Sequence, residues 1–252
     1  MNRMRSHAAS NSSIGAGNDA SALGTEYVGL ENLEVMSAAE KYNASLYRVI
    51  VESVGPPEIV GEILDFGAGT GTFAIPLRGS GYDVYAVEPD ERFRKHLGTL
   101  GLESAPDLGN SADRFDAAYT FNVLEHIERD DEALRQLVQS LRPGGRVVVY
   151  VPAMQFLFSA MDRRVGHVRR YGRSELVALA RGAGLSVETC RFVDSLGVVA
   201  TLLFKIFGSR SGTPSSSSVA IYDRFIFPVS LLVDRIAGRW FGKNLLLVGS
   251  RL

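Results

Sequence analysis

The stretch that most limits how this chain can fold is Ile63-Leu64-Asp65-Phe66-Gly67-Ala68-Gly69-Thr70-Gly71. An apolar run ends in a carboxylate and enters three alternating glycines, and residues 72–77 then read as the first turns of a helix. Glycines between a strand and a helix let the backbone pass close to a ligand, because no Cβ intervenes and positive φ carries no penalty. In doubly wound sheets such a crevice, at the carboxyl end of a parallel strand, is where nucleotides bind. Asp83-Val84-Tyr85-Ala86-Val87 reads as the next parallel strand. Glu88 closes it, placed to accept hydrogen bonds from a ribose diol. Asp65-Phe66-Gly67 also spells a kinase triplet, but no lysine strand or catalytic loop accompanies it.

The chain repeats this rhythm further on. Asp130, Asp131 and Glu132 load one helix's first turn with negative charge, which suits the positive end of the helix dipole. Leu134, Leu137, Val138 and Leu141 follow at helical spacing. Pro143-Gly144-Gly145 is expected to stop that helix ahead of a buried strand at residues 147–151. Ser174 is expected to cap a further helix running to Arg181. Strand and helix in alternation predict an α/β fold, a doubly wound sheet with helices on both faces.

Dinucleotide enzymes favour Gly-x-Gly-x-x-Gly, whereas this turn is Gly-x-Gly-x-Gly with an acid two residues ahead of the first glycine. That pattern resembles class I S-adenosylmethionine-dependent methyltransferases. Residues 115–127, ending Phe121-Asn122-Val123-Leu124-Glu125-His126-Ile127, resemble that family's fourth strand and the loop after it. Leu141-Arg142-Pro143-Gly144-Gly145-Arg146 resembles its junction into the fifth strand. Lys41-Tyr42-Asn43 and Gly166-His167-Val168-Arg169-Arg170-Tyr171 are similar to a bacterial subgroup with a Tyr-Asn helix and a Gly-His-x-Arg-Arg-Tyr loop. Ala44 and Ser45 depart from the Arg and Trp expected after Tyr-Asn. The resemblance implies a Rossmann-like methyltransferase sheet, seven-stranded and mostly parallel with a last antiparallel strand. It also implies S-adenosyl-L-methionine as cofactor and S-adenosyl-L-homocysteine as product.

Carried over residue by residue, the resemblance makes Gly67, Ala68, Gly69 and Gly71 the turn against the methionine and ribose portions. Asp65 would orient that turn and reach the methionine ammonium, and Glu88 would take the ribose hydroxyls. Pro89 and Leu108 would wall the adenine, with Asp107 accepting from its amine and Asp113 as competitor. Phe121 and Asn122 would meet the methionine end. Tyr42 and Tyr171 would line the methyl-transfer channel, where aromatic faces favour a sulfonium. His167 is expected as general base, with His126, Arg170 and Tyr171 contacting the acceptor. The plainer alternatives are a ligand-free tight turn, a solvated loop acid, packing tyrosines and loop-pinning histidines.

Composition narrows the classes. Lys and Arg number 27 against 28 Asp and Glu, a formal charge of −1, so no nucleic-acid footprint is expected. The single cysteine, Cys190, excludes an intrachain disulfide, and the cytoplasm is the expected compartment. The four histidines read as scattered and no Cys pair exists, so no metal site is expected. Residues 1–24, rich in Ser, Ala, Asn and Gly, read as a disordered tail rather than a signal peptide. Residues 25–252 read as the methyltransferase domain, with a helical insertion at about 196–242. No apolar run there reaches the ~20 residues of a membrane span. The insertion reads as a cap over the site, a homodimer surface, or a peripheral membrane contact. The function expected is methyl transfer to a small-molecule or glycan/lipid-linked acceptor. The rivals are a nicotinamide-dependent oxidoreductase and a non-catalytic S-adenosylmethionine-binding module.

Overall fold

The computed structural model describes residues 39–207 and 216–252. The expected tail over residues 1–24 and most of the Gly/Ser-rich break after residue 207 lie outside them. In chain order the elements are α1 (Glu40–Val54), β1 (Glu62–Phe66), α2 (Ala74–Gly79), β2 (Asp83–Val87), α3 (Glu91–Thr99), β3 (Ser104–Ala105) and β4 (Phe115–Phe121). There follow α4 (Asp130–Ser140), β5 (Leu141–Pro152), α5 (Ala160–Arg164), α6 (Arg173–Gly182), β6 (Leu185–Val193) and α7 (Ser195–Phe207). Helix α8 (Ser216–Ile221) runs through a π turn into α9 (Phe227–Ala237), and β7 (Asn244–Arg251) closes the chain.

Seven strands form one sheet in the order β3-β2-β1-β4-β5-β7-β6. All pairings are parallel except those of β7, which enters antiparallel between β5 and β6. The expected fold class is therefore what the chain adopts. Alternation along each central strand feeds two cores. Leu64, Val147, Val149 and Val151 face the side covered by Leu134, Leu137 and Val138 of α4 and Leu176 of α6. Ile63, Ala117, Val148 and Leu246 face the side covered by Leu46 and Ile50 of α1 and Leu77 of α2. Burial on both faces is why these strands read as unbroken apolar runs.

Two boundaries differ from expectation. Helix α4 already ends at Ser140, and Pro143-Gly144-Gly145 lies inside β5, where the register against β4 shifts between Phe115 and Ala117. A Cβ on Gly145 would sit 2.8 Å from the Arg142 carbonyl and 3.1 Å from that of Asp116, so the bulge requires glycine there. Helix α6 starts two residues before the Ser174 expectation. Gly172 is its N-cap, and the Glu175 carboxylate accepts the Gly172 N–H at 3.1 Å.

Between β6 and β7 the described residues are mainly helical and are fastened by two buried aspartates. Asp223 accepts the backbone N–H groups of Lys41 (2.9 Å) and Tyr42 (2.8 Å), capping the start of α1. Asp234 accepts those of Asp194 (2.7 Å) and Ser195 (2.8 Å) at the start of α7. A carboxylate at a helix N-terminus satisfies orphan donors and the helix dipole together. The result is one continuous helix, Ser216–Ala237, of 22 residues and mean hydropathy 1.2. Its length passes what the apolar runs alone suggested, yet its two aspartates bind it along the domain.

Candidate active site

The strand order reverses between β1 and β4, and the carboxyl ends of β1, β2, β4 and β5 open onto that switch point. The glycine turn lies there. Gly67 (φ +89°) donates to the Val87 carbonyl at 2.8 Å, and its missing Cβ leaves room for Val123, whose Cγ2 would lie 2.3 Å from one. Ala68 N–H reaches the same carbonyl at 3.1 Å, and Gly69 (φ +54°) turns its N–H onto Glu88 Oε2 at 2.8 Å. Gly71 closes the turn at φ +82°. Glu88 Oε1 accepts from the Asp90 N–H at 2.9 Å, so this buried carboxylate stitches the turn to the end of β2. Each of its oxygens keeps a lone pair for a further donor.

Asp65 is 4% exposed. Burial pushes its carboxyl up to about 7, with the Tyr119 hydroxyl pulling it down and the Glu88 charge pushing it further up. The groups that shift it include no cation. Leu108 is buried, whereas Pro89 and Asp107 are exposed, and Asp107 Oδ1 accepts the Gly109 N–H at 2.9 Å. Asp113 is removed as competitor. It pairs with Arg251 before β4 begins, at the opposite end of the sheet from the crevice.

Past the turn, aromatic rings line the strand ends. Phe73 packs edge-on against Phe121 (5.2 Å between centroids), Phe121 against Tyr150 (5.7 Å), and Tyr150 against Tyr42 (6.1 Å). Tyr42 also meets Phe227 of α9 at 5.4 Å. Burial holds the Tyr42 hydroxyl well above the ordinary range, with hydrogen bonds to Tyr150 and Asn122 pulling it down. Asn122 leaves β4 at φ +54° and donates its N–H to the Tyr150 carbonyl at 2.8 Å. Phe73 and Tyr150 carried no sequence signal beyond their chemistry, because only the strand order makes them neighbours.

The loops after β4 and β5 meet at the other end of this row. His126 and His167, read as scattered in the sequence, face each other with ring centroids 4.7 Å apart. Asp162 Oδ1 holds His167 Nδ1 at 3.0 Å, leaving Nε2 facing Glu125 Oε1 at 3.8 Å. Glu125 is fully buried, neither of its oxygens has a hydrogen-bond partner among the described residues, and burial pushes its carboxyl up to about 8. His126 is exposed at its rim, but partial desolvation of its ring and the neighbouring His167 lower it to about 4, with the Gly166 backbone opposing the shift. Glu125 and Asp162 were legible only as parts of the two loop motifs, with no role of their own.

Two expected acceptor contacts are placed elsewhere. Tyr171 is fully buried in the core and its hydroxyl donates to Asp130 Oδ2 at 2.7 Å, so it has no surface to offer an acceptor. Arg170 is buried and donates to Asp162 Oδ1 from Nε and Nη2, each at 2.8 Å, so its guanidinium holds the loop that carries His167.

Comparison with known proteins places this geometry among methyl-transfer enzymes. The family described as "Methyltransferase domain" matches residues 37–189. An uncharacterised protein of Mycobacterium tuberculosis is 37% identical over 95 residues, 32% of each chain. A ubiquinone biosynthesis O-methyltransferase of Caulobacter vibrioides is 31% identical over 98 residues, 34% of this chain and 39% of that one. The chain thus spans about a third of the length of these two curated relatives. The fold is shared with the Burkholderia thailandensis 1,6-didemethyltoxoflavin-N1-methyltransferase, solved with 1,6-didemethyltoxoflavin and S-adenosylhomocysteine bound. That pair superimposes with TM-score 0.57 at 16% identity, covering 96% of this chain and 93% of that one.

Proposed function

This chain belongs to the methyltransferase-domain family, and from that premise we propose that it transfers the methyl group of S-adenosyl-L-methionine to an amphiphilic acceptor at a membrane surface. One observation carries the cofactor half. The glycine turn is bonded to Glu88 through the Gly69 N–H, with the buried carboxyl of Asp65 beneath it at the sheet's switch point. When bound, the cofactor supplies an electrophilic methyl group on a sulfonium. The chain's residues fit such a group. Glu88 has a free lone pair on each oxygen for two vicinal hydroxyls. Asp65 gains the cation it lacks from an ammonium. The row Phe73, Phe121, Tyr150 and Tyr42 offers ring faces to a sulfonium. Its apolar walls keep water from the methyl carbon, and alignment of donor and acceptor supplies most of the rate.

The acceptor meets the Glu125, His126 and His167 cluster, where His167, held by Asp162 and Arg170, is the residue that activates it. The acceptor's class is read from the long helix beside the site. Ile221, Phe225, Val229, Leu232, Ile236 and Trp240 recur at helical spacing and are each between 48% and 72% exposed. Its two aspartates point inward, while Arg224, Arg235 and Arg239 are exposed. An outward face that is apolar and basic suits an anionic lipid interface, with the helix lying in its plane. Phe227 and Asp223 tie this helix to Tyr42, so the lipid-facing surface borders the aromatic row. Methyl-labelled cofactor incubated with the full chain and a bacterial lipid extract tests the reading. The label should pass to the organic phase; label confined to aqueous products would refute the lipid acceptor, and no transfer at all would refute the activity.

A further inference from the structure

We propose that Glu125, His126 and His167 form a binding site for a divalent first-row cation of the Zn2+ type, beside the position of the acceptor. Three independent features support it. The candidate ligand atoms of these side chains all lie within 4.8 Å of one another, close enough for small shifts to bring them round one ion. Glu125 is fully buried, and neither of its oxygens has a hydrogen-bond partner among the described residues. Finally, the His167 imidazole has one nitrogen already engaged by an oxygen, Nδ1 being bound to Asp162 at 3.0 Å, which leaves Nε2 on the side of Glu125. Ligating histidines are held in this way, by a carboxylate or a backbone carbonyl on the nitrogen away from the metal.

Two imidazoles and one carboxylate suit Zn2+ and its first-row neighbours better than Mg2+ or Ca2+, which prefer oxygen ligands throughout. Three protein ligands leave a coordination position open, as in catalytic rather than structural sites. His126 is exposed, so the site has a path from solvent. The inference depends on the methyl-transfer reading only for what fills the open position. There the cation lowers the pKa of an acceptor hydroxyl, whose O–H bond breaks with the proton released to solvent. His167 then acts on the acceptor as a ligand of the ion.

The test is calorimetric titration of the chelator-treated full chain with Zn2+, alongside the visible spectrum of Co2+ added in its place. One cation per chain is expected, with tetrahedral Co2+ bands. Glu125→Gln, which preserves volume, and His126→Ala, at an exposed position, should each abolish saturable binding while leaving the melting temperature of the metal-free chain within a few degrees. Asp162→Asn should weaken it by about 10–100-fold. Absence of saturable binding, or binding that survives both ligand substitutions, overturns the proposal. Cofactor affinity measured on the same chelated chain separates the two ideas. Cation failure with cofactor binding intact removes the metal site alone, whereas cofactor failure with cation binding intact removes the methyl-transfer reading and leaves the metal site standing.

Discussion

Replacing Asp65 with Asn should make the empty protein more stable at alkaline pH while weakening its hold on the cofactor. The carboxyl is 4% exposed, and burial raises it from 3.8 to about 7. A folded-state value above the unfolded one means the folded chain prefers the protonated form. That contribution is fully present below about pH 4, declines as pH rises through about 7, and is then gone. A shift of about 3 units corresponds to a penalty on the order of 4 kcal/mol at pH 8. Asn is isosteric with the protonated acid and cannot ionise. Urea unfolding at pH 8 should therefore show Asp65→Asn more stable than the parent by about 2–4 kcal/mol, with the two alike near pH 4. Calorimetry should show weaker cofactor binding in the variant. In the parent, affinity should rise with pH through about 7 as the carboxylate becomes available to an ammonium. A variant destabilised equally at both pH values, or one binding the cofactor as tightly as the parent, would refute the reasoning.

Three further outcomes are expected. Glu88→Ala removes the acceptor of the Gly69 N–H as well as the proposed ribose ligand, so cofactor affinity should fall by about 1.5–3 kcal/mol; calorimetry showing affinity held within twofold would place the ribose elsewhere. His167→Ala should leave cofactor affinity nearly intact and cut turnover at saturating acceptor by about 10²–10⁴-fold, and a folded variant retaining a tenth of parental turnover would remove its role. Ile236→Glu with Trp240→Glu should release the chain from phosphatidylglycerol vesicles in a flotation assay without changing cofactor affinity. If the parent never floats and instead sediments at twice its monomer mass, the stripe is a homodimer surface.

What was legible in the sequence was what depends on neighbours along the chain. The turn from Asp65 to Gly71, the apolar runs of β1 and β5, and the acidic first turn of α4 are local, and each appears in the structure. Breakers were readable as breakers but not as to kind. Pro143-Gly144-Gly145 serves a bulge inside β5 because Gly145 must fit between two carbonyls, a demand set by β4. Ser174 looked like the cap of α6 because it has a side chain to cap with, yet Glu175 supplies the bond to Gly172. The histidine pair was hidden by the 40 residues between its members, which only the adjacency of β4 and β5 brings together. Tyr171 shared a motif with His167, but its bridge to Ala153 and its hydrogen bond to Asp130 hold it in the core.

Titration of the full chain with S-adenosyl-L-homocysteine, beside Gly69→Val, tests the central claim most directly. At φ +54° the Gly69 backbone is one that a β-branched residue scarcely adopts, and its N–H is the bond that joins the turn to Glu88. The account predicts one saturable site of micromolar affinity in the parent and none in the variant, whose melting temperature should confirm that it is folded. Unchanged affinity in a folded Gly69→Val chain, or no binding by the parent, would contradict it.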